Sequence, residues 1–416
     1  MASPNLSILA SDFQLTETDR DFKLGGIVQL GFFFAGGICS LLFGPLASVV
    51  SRVKLIALLL LLSATASFGA SLAPADKTGF FWFLICRVAT GISVGGAIPV
   101  LFSLVSEFTT ADQRTIASAL IGSSQAVGAA VGQAFAGFVG PLLGWRAPYR
   151  FVAILTGVMS ILTCVLLQDK KKKRTSVIVN EAAVAWGSAN ETESFKMEEL
   201  DWAKFSNVLR VQSNRVILAQ SIPGCIAWSV VNTFLADYMH VNQGMTVAMA
   251  TSVMAVFGLC CVIVSFIGSS VGQKIYNDNK SRLPTFIALA GSLGSLPFIL
   301  LVNYGHLSIW LCYVFAAFAS LQSIPGPNLK GLLMSVNTGD DRGVAFATFT
   351  LVDNIGKGVG PALVCGIELL LRSRRAAVTI AFCFWLVSAW IITRLKQSIT
   401  DDAEAADVSK DHLKEV

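Results

Sequence analysis

Long apolar blocks separated by short polar breaks run along almost the whole chain. "IALLLLLSATASFGASLA" (56–73), "FVAILTGVMSILTCVLLQ" (151–168) and "VAMATSVMAVFGLCCVIVSFIG" (247–268) are typical. Each approaches the roughly 20 residues that carry a helix across a bilayer. The blocks are continuous rather than alternating, which favours helices over the ~10-residue strands of a membrane barrel. The pattern predicts eleven spans: 24–47, 54–73, 80–106, 115–141, 149–167, 216–239, 247–271, 284–303, 307–335, 343–371 and 376–394. One break is long. Residues 168–213 open with "KKKKR" and stay polar, dividing the chain into an N-terminal bundle (1–167), a linker (168–213), a C-terminal bundle (214–396) and a polar tail (397–416).

Composition agrees with this pattern. Of 416 residues, 54% are hydrophobic and 14% charged, against about 25% charged in soluble domains. The expected fold class is therefore all-α integral membrane. All nine cysteines fall in apolar blocks, where they act as small packing residues rather than a disulfide framework. A net charge of +5 is what basic membrane-protein loops produce and gives no reason to expect a nucleic-acid partner. With the linker in the cytoplasm, that side holds 20 Lys and Arg against 8 on the far side, with three inside spans. "RSRR" (372–375) runs against the bias. The start of the chain has no apolar core of a secretory signal.

An internal repeat fixes the architecture further. At an offset of 228, Arg114, Ala117, Ala119, Gly128, Val131 and Gly132 match Arg342, Ala345, Ala347, Gly356, Val359 and Gly360. The same offset aligns Gly44, Arg52 and Lys54 with Gly272, Lys280 and Arg282. Two parallel copies need an even number of spans each. The first half shows five, so "MASPNLSILASDF" is expected to be the outer end of a first helix, and the chain is expected to lack most of that span.

The chain resembles the major facilitator superfamily. "GPLASVVSRVK" (44–54) is similar to the family's loop between its second and third helices at Gly44, Leu46, Arg52 and Lys54, with Ser48, Val49 and Ser51 departing from it. "RVATGISVGGA" (87–97) resembles the fourth-helix Arg-x-x-x-Gly pattern, and "GAAVGQAFAGFVGPLLGWR" (128–146) the glycine-rich fifth helix. The block 326–361 resembles spinster-like carriers. The resemblance implies two pseudo-symmetric six-helix bundles, eleven spans seen of twelve expected, rocking about a central solute site. The spinster-like block implies lipid-related or organic-anion solutes. The departures at Ser48 and Val49 bear on the family's cytoplasmic ion lock.

Charges inside spans are the candidate chemistry. Eleven residues of helix from Arg342 rise about 16 Å, which puts Asp353 near the midplane of a ~30 Å core. A lone charge there costs about 2.5–3.5 kcal/mol. Lys357 follows one turn later, in the favourable order for a same-face pair. Two readings stay open: an internal lock between helices, or a proton or solute switch that opens during a cycle. Lys330 follows the helix-breaking "IPGPN" (324–328), with Gln322 and Asn328 near it; it either meets an anionic group or snorkels to the membrane edge. Arg87 either grips a carboxylate with two parallel donors or makes a structural pair with helix carbonyls in its bundle. Asn354 and Asn232 complete the expected solute-binding set. Glu107 with Arg114, and Asp341 with Arg342, suit gate pairs with Arg52 or Lys280, or are solvated loop charges. Asp237, near a span end, is expected to be solvated. Gln125 and Gln133 are expected to bond helix to helix.

The three histidines are scattered and "GKGVG" lacks the rest of a phosphate loop. No metal site, cofactor or enzymatic activity is expected; the proton is the candidate coupling ion. The expectation is a secondary carrier for a small organic, anionic solute, working as a monomer in a plasma or endolysosomal membrane. The alternative is a non-transporting scaffold or receptor derived from a truncated carrier.

Overall fold

A computed structural model describes residues 3–108, 114–167, 202–305, 307–337 and 342–405. Among the described residues there is helix and no strand. The N-terminal bundle contains α1 (Leu6–Asp12), α2 (Val28–Val49), α3 (Arg52–Ser71), α4 (Lys77–Phe108), α5 (Arg114–Leu143) and α6 (Arg146–Leu166). The C-terminal bundle contains α7 (Gln212–Val241), α8 (Val247–Asp278), α9 (Leu283–Asn303), α10 (Ile309–Ser335), α11 (Arg342–Leu371) and α12 (Arg374–Thr393). Ten described helices are long and apolar enough to cross a membrane. The fourth expected span, 115–141, lies in α5, where Val127–Leu143 is a shorter apolar stretch.

The repeat reappears in the helix starts. α3, α5 and α6 begin at Arg52, Arg114 and Arg146; offset by 228, these are Lys280, Arg342 and Arg374, the starts of the corresponding C-terminal segments. Serine and threonine caps set several of these ends. Ser51 accepts from the Lys54 amide, Thr246 from Met249 and Ser373 from Ala376.

One correction concerns a helix end. The span expected at 24 begins at Arg20, because a wide π-helical stretch, Arg20–Ile27, continues directly into α2. The residues ahead of it form α1, whose Leu6 and Leu9, with Phe13 after it, have no exposed surface. Phe13 sits edge-on to Trp145 at 5.7 Å, and Phe83 packs on both. Such pairs add about 0.5–1.5 kcal/mol each beyond burial. This aromatic core ties α1 to α4 and α6.

The face carrying the ends near 49, 114, 212, 278 and 342 is the linker face; the opposite is the far face. The two bundles touch from the far face to mid-depth. α2 and α11 run antiparallel, with Gly26 against the Ala362 backbone, Gly358 against Leu30 and Phe33, and Gly37 against Asn354 and Leu351. α5 and α8 do the same, with Gly137 against Thr251 and Ala130 against Gly258. The absence of Cβ atoms permits this approach. Further toward the linker face, Ser124, Gln125, Val127, Gly128 and Ala129 of α5 are exposed, and a Cβ added at Gly128 or Gly132 would meet nothing within 4 Å.

Candidate functional site

The space between the bundles receives an unusual concentration of charge from α10 and α11. Asp353 Oδ2 and Lys357 Nζ are 3.6 Å apart. The expected same-face pair therefore forms. Their side chains keep 19% and 35% accessibility. Lys330 is exposed, and both charges act on it. Asp353 and Lys357 lie on α11 between the side that packs on α2 at Asn354 and Gly358 and the side that packs on α7 at Gly356, so their accessibility marks a water-reachable vestibule between the bundles. The Cys225 thiol of α7 lies beside Asp353 and Lys357. Gly356, between the two charges in sequence, packs against Cys225 and the Ile222 carbonyl, which holds α11 close to α7.

The break "IPGPN" explains how Lys330 reaches this space. The helix of α10 stops at Ala319, passes through a 3-10 turn at Ser320–Ser323 and restarts at Pro325. Gln322 and Asn328 stabilise that break. Gln322 donates to the Gly291 carbonyl, and Asn328 donates to Ile324 O at 2.8 Å and Gly268 O at 3.3 Å. Both are buried. Expected beside the solute, they bond to helix backbone, Gln322 to α9 and Asn328 to α8 and to its own turn, because the interrupted helix leaves polar groups that need partners in an apolar setting.

Asn232 bonds to Trp228 O within α7 and accepts from Gln133 Nε2 at 3.1 Å. This links the two bundles and meets the expectation that Gln133 bonds helix to helix. Asn354 lies against Gly37 of α2. Arg87 stands apart, on α4, with its guanidinium 4.6 Å over the Phe32 ring. Its buried Nε has no hydrogen-bond partner among the described residues, nor has the nearby buried Tyr149 hydroxyl. No described interaction joins Arg87 to the Asp353 group. Of the expected gate residues, Arg52 and Lys280 are half-buried near helix starts. The side chains of Glu107, Arg114, Asp341 and Arg342 lie outside the described residues.

The largest departure is at the far face. Asp237, expected in solvent, is 2% exposed and belongs to a buried ion cluster that crosses the seam between bundles. On the N-terminal side Arg20 Nε donates to Asp21 Oδ1 at 2.7 Å and its second guanidinium arm to Oδ2 at 3.2 Å. On the C-terminal side Arg374 donates to Asp237 Oδ2 at 2.7 Å and to Asn242 Oδ1 at 2.9 Å. Across the seam, Arg374 Nε reaches Asp21 Oδ2 at 2.9 Å, Ser7 donates to Asp237 Oδ1 at 2.6 Å, and Arg20 lies 3.8 Å from Asp237. All four ions are less than a tenth exposed. Arg374 is one of the three arginines of "RSRR" that opposed the loop-charge bias; its burial removes it from the exposed loop, while Arg372 and Arg375 stay exposed.

One signal could have flagged it. Arg146 and Arg374 match at the 228 offset, and each opens the last helix of its bundle. Arg146 pairs with Asp12 and donates to Ala73 O at 2.9 Å, an arrangement parallel to that of Arg374 with Asp237.

Comparisons agree with the architecture. A family model for the Major Facilitator Superfamily matches residues 1–361. The multidrug transporter QDR2 of Candida glabrata is 25% identical over 169 residues, 41% of this chain; the chain spans only 27% of that relative's length. The cis,cis-muconate transport protein of Acinetobacter baylyi is 22% identical over 377 residues, covering 88% of this chain and 82% of that protein. In fold, the chain is similar to a bacterial homologue of the human lysosomal transporter Spinster in an inward-facing, unoccupied conformation. That likeness has a TM-score of 0.74 and 14% identity over 96% of this chain and 94% of the other.

Proposed function

Because the chain belongs to the Major Facilitator Superfamily, we propose that it carries a small organic anion by alternating access, with Lys330, Asp353 and Lys357 at the heart of the solute site. The observation that carries the reading is the charge balance of the vestibule. Two lysines face water-reachable space in the protein interior, with one carboxylate between them. A net positive charge enclosed this way is costly unless it meets a counter-charge. A carboxylate or phosphate arriving with the solute supplies it. Asp353 then takes on two roles: it neutralises Lys357 while the site is empty, and it yields that lysine when the anion arrives.

Arg87 is the second anchor in this reading. Its unpartnered Nε and the unpartnered Tyr149 hydroxyl give the N-terminal bundle a donor pair of its own. A solute held at one end by α10 and α11 and at the other by α4 would couple the bundles. The name of the Acinetobacter relative specifies muconate, a dicarboxylate, which is compatible with an anionic solute. Asp353 is also the candidate proton carrier.

The test is uptake into proteoliposomes of a panel of mono- and dicarboxylates, phosphate esters and neutral sugars. Saturable uptake of the anions is expected. Lys330→Gln should raise the half-saturating concentration at least about tenfold, the loss of one charge-assisted hydrogen bond. An inward proton gradient should drive accumulation that Asp353→Asn uncouples. Uptake restricted to neutral solutes, or unchanged by either substitution, refutes the site.

A further inference from the structure

Four ions buried together would normally be read as a fixed structural lock. Their distribution argues otherwise. Arg20 and Asp21 sit on one bundle and form a two-bonded pair of their own. Asp237 and Arg374 sit on the other and form theirs at 2.7 Å. The seam runs between the two pairs. If the bundles part at the far face, the interactions that break are Arg374–Asp21, Arg20–Asp237 and Ser7–Asp237. Every ion still keeps a counter-ion on its own bundle. An ion stranded without one is what makes breaking most buried pairs so expensive.

The local backbone fits a moving part. Arg20 and Asp21 open the π-helical stretch Arg20–Ile27, and Asp237 follows the π-helical stretch Val231–Leu235 in α7. A π turn advances less than an α turn per residue, which brings consecutive side chains such as Arg20 and Asp21 closer to one face. Such stretches interrupt the regular hydrogen-bond ladder and concentrate at functional positions. Here one lies on each side of the same seam.

We propose that Arg20, Asp21, Asp237 and Arg374 form the far-face gate, a latch that closes as a four-ion cluster and opens as two neutral ion pairs. This builds on the carrier reading, in which the bundles must part at the far face once per cycle. The state seen here is the closed one, with the seam shut at the far face. Ser7 and Asn242 complete the closed cluster by filling the remaining positions on Asp237 and Arg374.

The test is hydrogen exchange of the full-length protein in lipid nanodiscs, with no solute present. The segments compared are the far-face ends of α2 and α11 and their linker-face ends. Asp21→Asn and Arg374→Gln each weaken the bridge across the seam. Either should speed far-face exchange by about tenfold and slow linker-face exchange, since the two sides open in alternation. The double exchange Asp21→Arg with Arg374→Asp keeps the closed cluster neutral but leaves each bundle with two like charges when open. It should hold the far face shut, with exchange below wild type. A structural lock predicts faster exchange at both faces in all three variants, and that result overturns the proposal, as does no change in the two single variants. If the double variant does not fold, the single variants decide alone. Because no solute enters the measurement, a chain that transports nothing yet shows opposed exchange at the two faces keeps the latch and loses the carrier. Transport without opposed exchange does the reverse.

Discussion

Asp353→Asn should destabilise the protein more than Lys357→Met, although the two remove opposite ends of one ion pair. At 3.6 Å, opposite unit charges attract by about 1 kcal/mol in bulk water and about 5 kcal/mol at an effective dielectric of 20. Their partial exposure to the vestibule places the pair between these bounds. Lys357→Met deletes the pair but leaves Asp353 within reach of Lys330. Asp353→Asn leaves both lysines facing one another with no carboxylate. We expect a cost of about 2–4 kcal/mol for Asp353→Asn and about 0–2 kcal/mol for Lys357→Met, the difference being the residual support from Lys330. The double substitution should recover much of the Asp353→Asn loss by removing one of the repelling cations. Paired thermal-unfolding midpoints in one detergent, with the four corners of the cycle measured together, give the comparison. Equal costs, or a Lys357→Met protein that is the less stable of the two, would refute the idea that Lys330 shares Asp353.

Two other predictions concern packing and pH. A Cβ at Gly91 would run into the Phe32 carbonyl of α2, so Gly91→Ala should cost about 1–3 kcal/mol by overpacking, whereas Gly128→Ala, with open space around it, should change little; unfolding midpoints check both. Burial pushes the Asp12 carboxyl up, but the hydrogen bonds from Trp145 and Arg146 outweigh it and hold the group below its ordinary value of 3.8. A depressed carboxylate adds stability that is complete above its unfolded value and lost as pH falls through the folded one. Asp12→Asn should therefore remove part of the stability lost on acidification below about pH 4, read as a shallower pH dependence of the unfolding midpoint.

Much of the architecture was legible because bilayer thickness dictates block length and because duplication leaves a constant offset. The same offset of 228 that relates Arg114 to Arg342 also relates Arg52 to Lys280 and Arg146 to Arg374, each at the start of a helical segment. Asp353 and Lys357 were legible because two charges inside an apolar helix must find each other or water. The backbone bonds of Gln322 and Asn328 were not legible, for a physical reason: a proline-broken helix creates local backbone groups that need partners, and the nearest amides supply them. The far-face cluster was least legible. Asp237 and Arg374 sit at span ends, where sequence pattern cannot distinguish a solvated charge from one buried against another helix 137 positions away. Arg20 and Asp21 lie just ahead of the apolar run, in a π turn whose width leaves no hydrophobic period to detect. Pairing across the seam depends on where the bundles meet, which no local pattern records.

The vestibule is tested most directly by a cryo-EM structure of the protein in nanodiscs with a saturating anion that it takes up. The account predicts density for the anionic group within hydrogen-bond distance of Lys330 Nζ and Lys357 Nζ, with the Asp353–Lys357 separation widened beyond the 3.6 Å seen here. Solute density elsewhere, with that ion pair intact and Lys330 disengaged, would contradict it.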